Sequence, residues 1–226
     1  MWGSELLPTP SREVGKRNTQ LQLKTSNLLR ILILATALLL ATGCQASTGG
    51  HQFSGNRFDS PLAVPDFELT QTNGAPFRFS ETEGQINLIY FGYTFCPDVC
   101  PLTMIDLKEA LDGLEGRERV NVIFISVDPE RDTPEVLERY VKGFAPDFIG
   151  LTDDYAKIET VMQSFGAYAE KEEAPESAAG YLVNHTARVY LATVAEGIML
   201  TYPFGFEPQG LRADLAYILQ APKNNE

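Results

Sequence analysis

Apolar and polar residues first alternate in D-F-E-L-T (66–70) and P-F-R-F-S (76–80), on either side of an Asn-Gly pair. Period-two alternation around such a pair predicts a β-hairpin. The next apolar run, Q-I-N-L-I-Y-F-G-Y (85–93), barely alternates and is rich in aromatic and β-branched residues. It predicts a strand covered on both faces. A helix is expected from near Pro101, with Leu102, Ile105, Leu107, Leu111 and Leu114 as its apolar stripe. V-N-V-I-F-I-S-V (120–127) predicts a second buried strand. D-T-P-E-V-L then starts a helix, with Asp132 or Thr133 as cap and a proline suited to the first turn.

A strand is expected around Phe148–Leu151 and a helix over about 154–165. Residues 166–180 are acidic and alanine-rich and predict a surface loop. H-T-A-R-V-Y-L-A-T (185–193) and G-I-M-L-T-Y-P (197–203) predict a hairpin, and a helix over 209–219 closes the chain. Strand, helix, strand, helix, then an antiparallel hairpin and a helix imply an α/β fold: a thioredoxin-like mixed sheet with helices on both faces. The expected organisation is 1–43 as signal peptide or membrane anchor, 44–60 as flexible tether and 61–222 as a single domain.

The amino-terminal reading rests on charge. Arg12, Lys16, Arg17, Lys24 and Arg30 form a basic lead, followed by I-L-I-L-A-T-A-L-L-L-A-T-G, 13 uncharged residues from Ile31. A bilayer-spanning helix needs about 20 apolar residues, so the run suits a signal-peptide core. It leads through small residues into Cys44, similar to a bacterial lipoprotein processing site. The other reading is an uncleaved anchor, with Leu28 and Leu29 extending the apolar stretch. Both place the rest of the chain on the extracytoplasmic face of the cell membrane. Q-A-S-T-G-G-H-Q-F-S-G-N (45–56) reads as a flexible tether, in which His51 is assigned no role. The formal net charge of -12 disfavours nucleic acid as a partner.

With Cys44 set aside, Cys96 and Cys100 are the remaining two of the three cysteines. Export would put them where disulfides persist. With Cys96 at the strand end and Cys100 in the first helical turn, their α-carbons lie roughly 6 Å apart, within disulfide range. The helix start favours thiolates, so both sulfurs are expected to ionise more readily than ordinary cysteine. That suits electron transfer and metal binding alike. His185, in V-N-H-T-A-R-V-Y, is the candidate third ligand, because in such a sheet the loop before that strand faces the cysteine loop. Two thiolates and an imidazole suit Cu(I) and can hold Cu(II). A structural zinc site wants a fourth ligand and an iron–sulfur cluster four cysteines.

F-G-Y-T-F-C-P-D-V-C-P (91–101), S-V-D-P-E-R-D-T-P-E (126–135) and N-H-T (184–186) together resemble the Sco/SenC family of copper-binding thioredoxin-like proteins. The resemblance spans about residues 62–220. It implies copper ligands Cys96, Cys100 and His185, with the two cysteines also forming a reversible disulfide. It implies a metallochaperone that assists assembly of the dinuclear copper centre of cytochrome c oxidase. Its partners would be oxidase subunit II, a copper donor and a thiol reductant. The family often has aspartate before the histidine, where this chain has Asn184. A thiol-disulfide reductase acting on the oxidase cysteines without carrying copper is the alternative function. A peroxidase using Cys96 as attacking thiolate is disfavoured by the paired prolines. Asp98, Asp128, Arg131 and Asp132 are read as turn and cap residues, and Tyr90, Phe91, Tyr93 and Phe95 as core and rim.

Overall fold

The computed structural model describes residues 50–174 and 180–220. The signal or anchor segment and Cys44 lie outside the described residues. Among those described, no helix is long and apolar enough to cross a membrane.

Strands β1 (Asn56–Leu62), β2 (Glu68–Gln71) and β3 (Pro76–Arg78) come first. The last two form the hairpin that the alternation predicts, with Leu69 opposite Phe77 and both buried. Strand β4 (Ile86–Gly92) is buried along its whole length. Leu88, Ile89, Tyr90 and Phe91 are all fully buried although successive side chains point to opposite faces, so both faces of β4 are covered. Burial at such positions contributes about 2 kcal/mol per large side chain.

Helix α1 (Val99–Leu111) follows, then β5 (Val120–Ser126), α2 (Pro134–Phe144), β6 (Ile149–Thr152) and α3 (Tyr155–Ser164). Strands β7 (Ala169–Ala174) and β8 (Gly180–His185) pair with each other, and β9 (Arg188–Thr193), β10 (Gly197–Pro203) and α4 (Pro208–Gln220) complete the chain. The main sheet has eight strands in the order β1-β10-β9-β4-β5-β6-β2-β3. β4 runs parallel to β5, and β5 to β6, while β9 is antiparallel to β4. This is the expected mixed, thioredoxin-like sheet. Arg212 on α4 donates to the carbonyls of Glu109 and Ala110, fixing α4 against α1.

Three local expectations change. α1 starts two residues before Pro101, because Asp98 caps it by accepting from the Val99 N–H at 2.6 Å. Its buried face is Cys100, Thr103, Met104, Leu107, Ala110 and Leu111, while Leu102 and Ile105 are 47% and 49% exposed. Shifting the helix start did not cause this; the face toward the sheet is set by Cys100 and its neighbours one turn on. Of the two expected caps of α2, Thr133 is the one that serves, its hydroxyl accepting from the Val136 N–H. Residues 169–174 are not loop but strand β7, paired with β8 in a separate two-stranded sheet. A-E-K-E-E-A has no strand propensity of its own. It is extended because Y-L-V-N-H offers it a ladder.

The third change concerns the tether. From His51 onward the chain is docked, not free. Asp214 on α4, 1% exposed, accepts from the Ser54 N–H, Ser54 hydroxyl, Gly55 N–H and Tyr202 hydroxyl at 2.8–3.2 Å. His51 Nε2 lies 2.7 Å from the same carboxylate, and its ring stacks on Tyr217. Beyond this clasp, β1 pairs with β10 at the sheet edge. Gly197 permits that pairing: its φ is +78°, and a Cβ there would meet the Leu62 carbonyl oxygen at 2.1 Å. Composition alone reads 45–56 as flexible because it cannot show a buried acceptor contributed some 160 residues later.

Asp214→Ala would strand the Tyr202 hydroxyl and two backbone N–H groups. Unfolding stability should fall by about 3 kcal/mol, with new proteolytic cleavage between residues 51 and 62. An unchanged denaturation midpoint would show that the clasp holds nothing.

Candidate metal and redox site

The site is built where β4 ends. After Gly92 the chain turns through Tyr93, Thr94 and Phe95, and the Cys96 N–H donates to the Tyr93 carbonyl at 3.3 Å. Cys96 therefore lies four residues past the strand, in the turn before α1, and not at the strand end as expected. Cys100 sits in the first turn of α1, as expected, and is fully buried. Its N–H points at the Cys96 sulfur, 3.4 Å away. Both are free thiols.

His185 closes β8 and stands three residues before β9 begins at Arg188. Its Nε2 lies 3.5 Å from the Cys100 sulfur, across 85 residues of sequence. Its Nδ1 faces the Thr186 carbonyl at 3.4 Å. The tautomer that donates from Nδ1 leaves the Nε2 lone pair turned toward the sulfurs. Edge-to-face contacts with Tyr90 and Tyr93, at centroid distances of 6.0 and 5.8 Å, fix the ring plane. The two sulfurs and a ring nitrogen all lie within 4.8 Å of one another, half-buried at Cys96 and His185 and buried at Cys100. All three residues expected at the site are brought together.

The sulfurs are not equivalent, contrary to the expectation that both ionise easily. The Cys100 thiol donates to Cys96, and with smaller help from the Cys100 and Asp98 N–H groups this outweighs burial, lowering the Cys96 thiol to about 4. The same bond, burial and the charge on Cys96 push Cys100 far up. One proton is shared by two sulfurs, so the helix start serves only one of them. Cys96 is the half-buried thiolate and Cys100 the fully buried thiol behind it.

S-V-D-P-E-R-D-T-P-E does more than form turns and caps. Buried Asp132 accepts from the Thr94 hydroxyl at 2.6 Å, the Thr94 N–H at 3.0 Å and the Ser126 hydroxyl at 2.6 Å. It therefore ties the cysteine turn to the end of β5, and burial holds its carboxyl above the usual range. Arg131 reaches the other way. Its guanidinium lies 3.6 Å from the Tyr181 ring centroid and 4.9 Å from that of Phe95, and donates to the Tyr181 carbonyl. Asp128 binds Arg131 and accepts from the Tyr181 hydroxyl at 2.8 Å. Tyr181 belongs to β8, the strand that carries His185. Two charges of opposite sign separated by a fixed turn were the available signal for this role. Phe95, 49% exposed, is rim and not core. Asn184 donates to Glu172 across the hairpin at 2.7 Å and does not touch the imidazole. The missing carboxylate thus leaves the ring held by Tyr90, Tyr93 and Thr186. His51 lies in the Asp214 clasp and takes no part.

Residues 57–220 match the SCO1/SenC family. An SCO2-like protein of Rickettsia felis is 38% identical over 176 residues, covering 74% of this chain and 85% of the relative. The structure of Bradyrhizobium japonicum ScoI with copper bound is similar at a TM-score of 0.62 and 36% identity, covering 69% of this chain and 98% of that one. The solution structure of apo Sco1 from Thermus thermophilus aligns at a TM-score of 0.63 and 39% identity, covering 76% and 98%.

In iodoacetamide labelling of the reduced protein mapped by mass spectrometry, Cys96 should react first. Its thiolate-dependent rate should level off above about pH 5, because its depressed ionisation is complete there. In Cys100→Ala, which removes the main donor, the rate should keep rising to higher pH. Equal labelling of both thiols near pH 6 would refute the asymmetry. By motif, by fold and by the placing of these three side chains, the chain belongs to the SCO1/SenC family.

Proposed function

We propose that this protein is a membrane-tethered copper chaperone that assists assembly of the dinuclear copper centre of cytochrome c oxidase, with subunit II as recipient. Copper is the cargo, held by Cys96, Cys100 and His185. The observation that carries this reading is the convergence of two sulfurs and one imidazole nitrogen within 4.8 Å. The set is soft and has three donors, which favours Cu(I) over metals that want four protein ligands or oxygen. Its half-burial leaves one side open to a partner that exchanges the ion. Residues 1–43 would deliver and hold the domain at the extracytoplasmic face, through lipid on Cys44 or an uncleaved anchor.

The test is titration of the reduced protein with Cu(I) in competition with a chromophoric chelator. Wild type should bind one copper per chain. His185→Ala should bind at least about 10-fold more weakly while its circular dichroism is unchanged. Equal affinity in the two proteins would remove the imidazole from the site and the chaperone reading with it.

The asymmetry of the thiols supports a second activity, thiol-disulfide exchange. The Cys96 thiolate attacks one sulfur of a partner disulfide, forming a mixed disulfide and expelling the other partner sulfur as thiolate. Cys100 then gives up its proton and displaces the first partner sulfur, leaving a Cys96–Cys100 disulfide and a partner reduced by two electrons. An external thiol reductant must restore the pair. Cys100→Ala should trap the mixed disulfide with a peptide bearing two oxidised cysteines, visible on a non-reducing gel. A reductase role predicts that His185→Ala retains full exchange; loss of exchange in that variant would count against it.

A further inference from the structure

The two segments that carry the candidate ligands meet at one side chain. Tyr181, Val183 and His185 alternate along β8 and so project from one face of the ribbon. Val183 is buried on that face, while Asn184 is exposed on the other. β8 pairs only with β7, outside the main sheet. No ladder therefore sets how far its inner face stands from the cysteine turn, and side chains must do so.

Arg131 reaches both segments. Its guanidinium lies 3.6 Å from the ring centroid of Tyr181, on the His185 strand. It lies 4.9 and 5.7 Å from those of Phe95 and Tyr93, on the cysteine turn. Three rings drawn from both segments thus share one cation. Fully buried Asp128 fixes the arrangement: one of its oxygens accepts from Arg131 Nε and the other from the Tyr181 hydroxyl. Cation–π attraction strengthens as water is excluded, and the Arg131 side chain is only 15% exposed. Other ties of the ribbon lie at the surface. Lys171 pairs with Glu130 at 2.6 Å, and the Tyr155 hydroxyl donates to the Ala169 carbonyl at 3.3 Å. An exposed ion pair of that kind contributes little.

We propose that Arg131 is a positioning residue for the metal site, its guanidinium setting the spacing between the cysteine turn and the imidazole of His185. This rests on the chaperone reading. An imidazole already standing at the sulfurs needs no ordering when copper arrives, whereas one on a loosened ribbon must first be brought back, and affinity falls. The sulfurs are held to the main sheet through Thr94 and Asp132 and do not share that loss.

Two substitutions loosen the seat by different routes. Tyr181→Leu removes the ring and leaves the Arg131–Asp128 pair in place. Arg131→Lys keeps a positive charge beside Asp128, so no buried carboxylate is stranded, but gives up the flat guanidinium and its fork. Each is made in the full chain, alone and together with His185→Ala. Cu(I) affinity of the reduced protein is read against a chromophoric chelator. Alone, Tyr181→Leu should weaken binding about 10-fold, and Arg131→Lys should weaken it in the same direction. Added to His185→Ala, neither should weaken it further. Lys171→Met, which removes the exposed tie, should leave the affinity unchanged. In the metal-free protein, hydrogen exchange should quicken at the β8 amides of both seat variants and stay unchanged in β4. Unchanged affinity in Arg131→Lys overturns the inference, whether or not Tyr181→Leu folds. So does a loss that persists in full beside His185→Ala, which would place the effect on the sulfurs or on the fold. A loss in Lys171→Met as large as in the seat variants would assign the seating to the surface ties and overturn it too. Wild type that binds no Cu(I) overturns the chaperone reading itself, and this inference with it.

Discussion

Everything at the site depends on how the turn between β5 and α2 grips two other segments at once. Asp132 fixes the cysteine turn through Thr94. Four residues and one residue earlier, Asp128 and Arg131 fix β8 through Tyr181. The hydroxyl of Ser126 anchors the turn itself at the end of β5. A carboxylate buried without such partners would be expensive, so these bonds are the condition for its being there. With both segments held, the imbalance between the two sulfurs and the reach of the imidazole follow from backbone positions already set. The cost of ordering three mobile side chains into one cluster is met before any ligand arrives.

The main sheet was legible because its central strands declare themselves. I-N-L-I-Y-F and V-I-F-I-S carry apolar residues at both parities, which only a strand covered on both faces tolerates. The cysteine pair and His185 were legible from residue type, spacing and place in the element order. What stayed hidden has a common cause: it depends on a distant partner. β7 is made of Glu, Lys and Ala and exists through its pairing with β8. Residues 51–55, H-Q-F-S-G, continue a polar linker-like stretch in the sequence, and are ordered by a carboxylate on the last helix. The exposure of Leu102 and Ile105 was hidden for a different reason. A single stripe of apolar residues does not say which of two adjacent faces the sheet will take.

The site also shows why identical residue types need separate treatment. Cys96 and Cys100 lie four positions apart at one helix start, yet one is charged and half-exposed and the other neutral and buried. The difference arises from a single proton and from which side chain faces the core. That division suits a surface that meets a partner through Cys96 while Cys100 and His185 stay behind it. The apolar rim supplied by Phe95 lies on the same turn.

The three candidate ligands do not belong to one rigid piece. Both sulfurs are fixed to the main sheet through α1 and the Thr94–Asp132 tie, whereas His185 ends a two-stranded ribbon outside that sheet. The ribbon is seated by a guanidinium lying on an aromatic ring. Any coordination by the imidazole would thus be coupled to the seating of the ribbon, and coordination by the sulfurs would not. A partner that competes for the face of Tyr181 could unseat one donor and leave the other two in place, turning a three-point grip into a two-point one without unfolding anything.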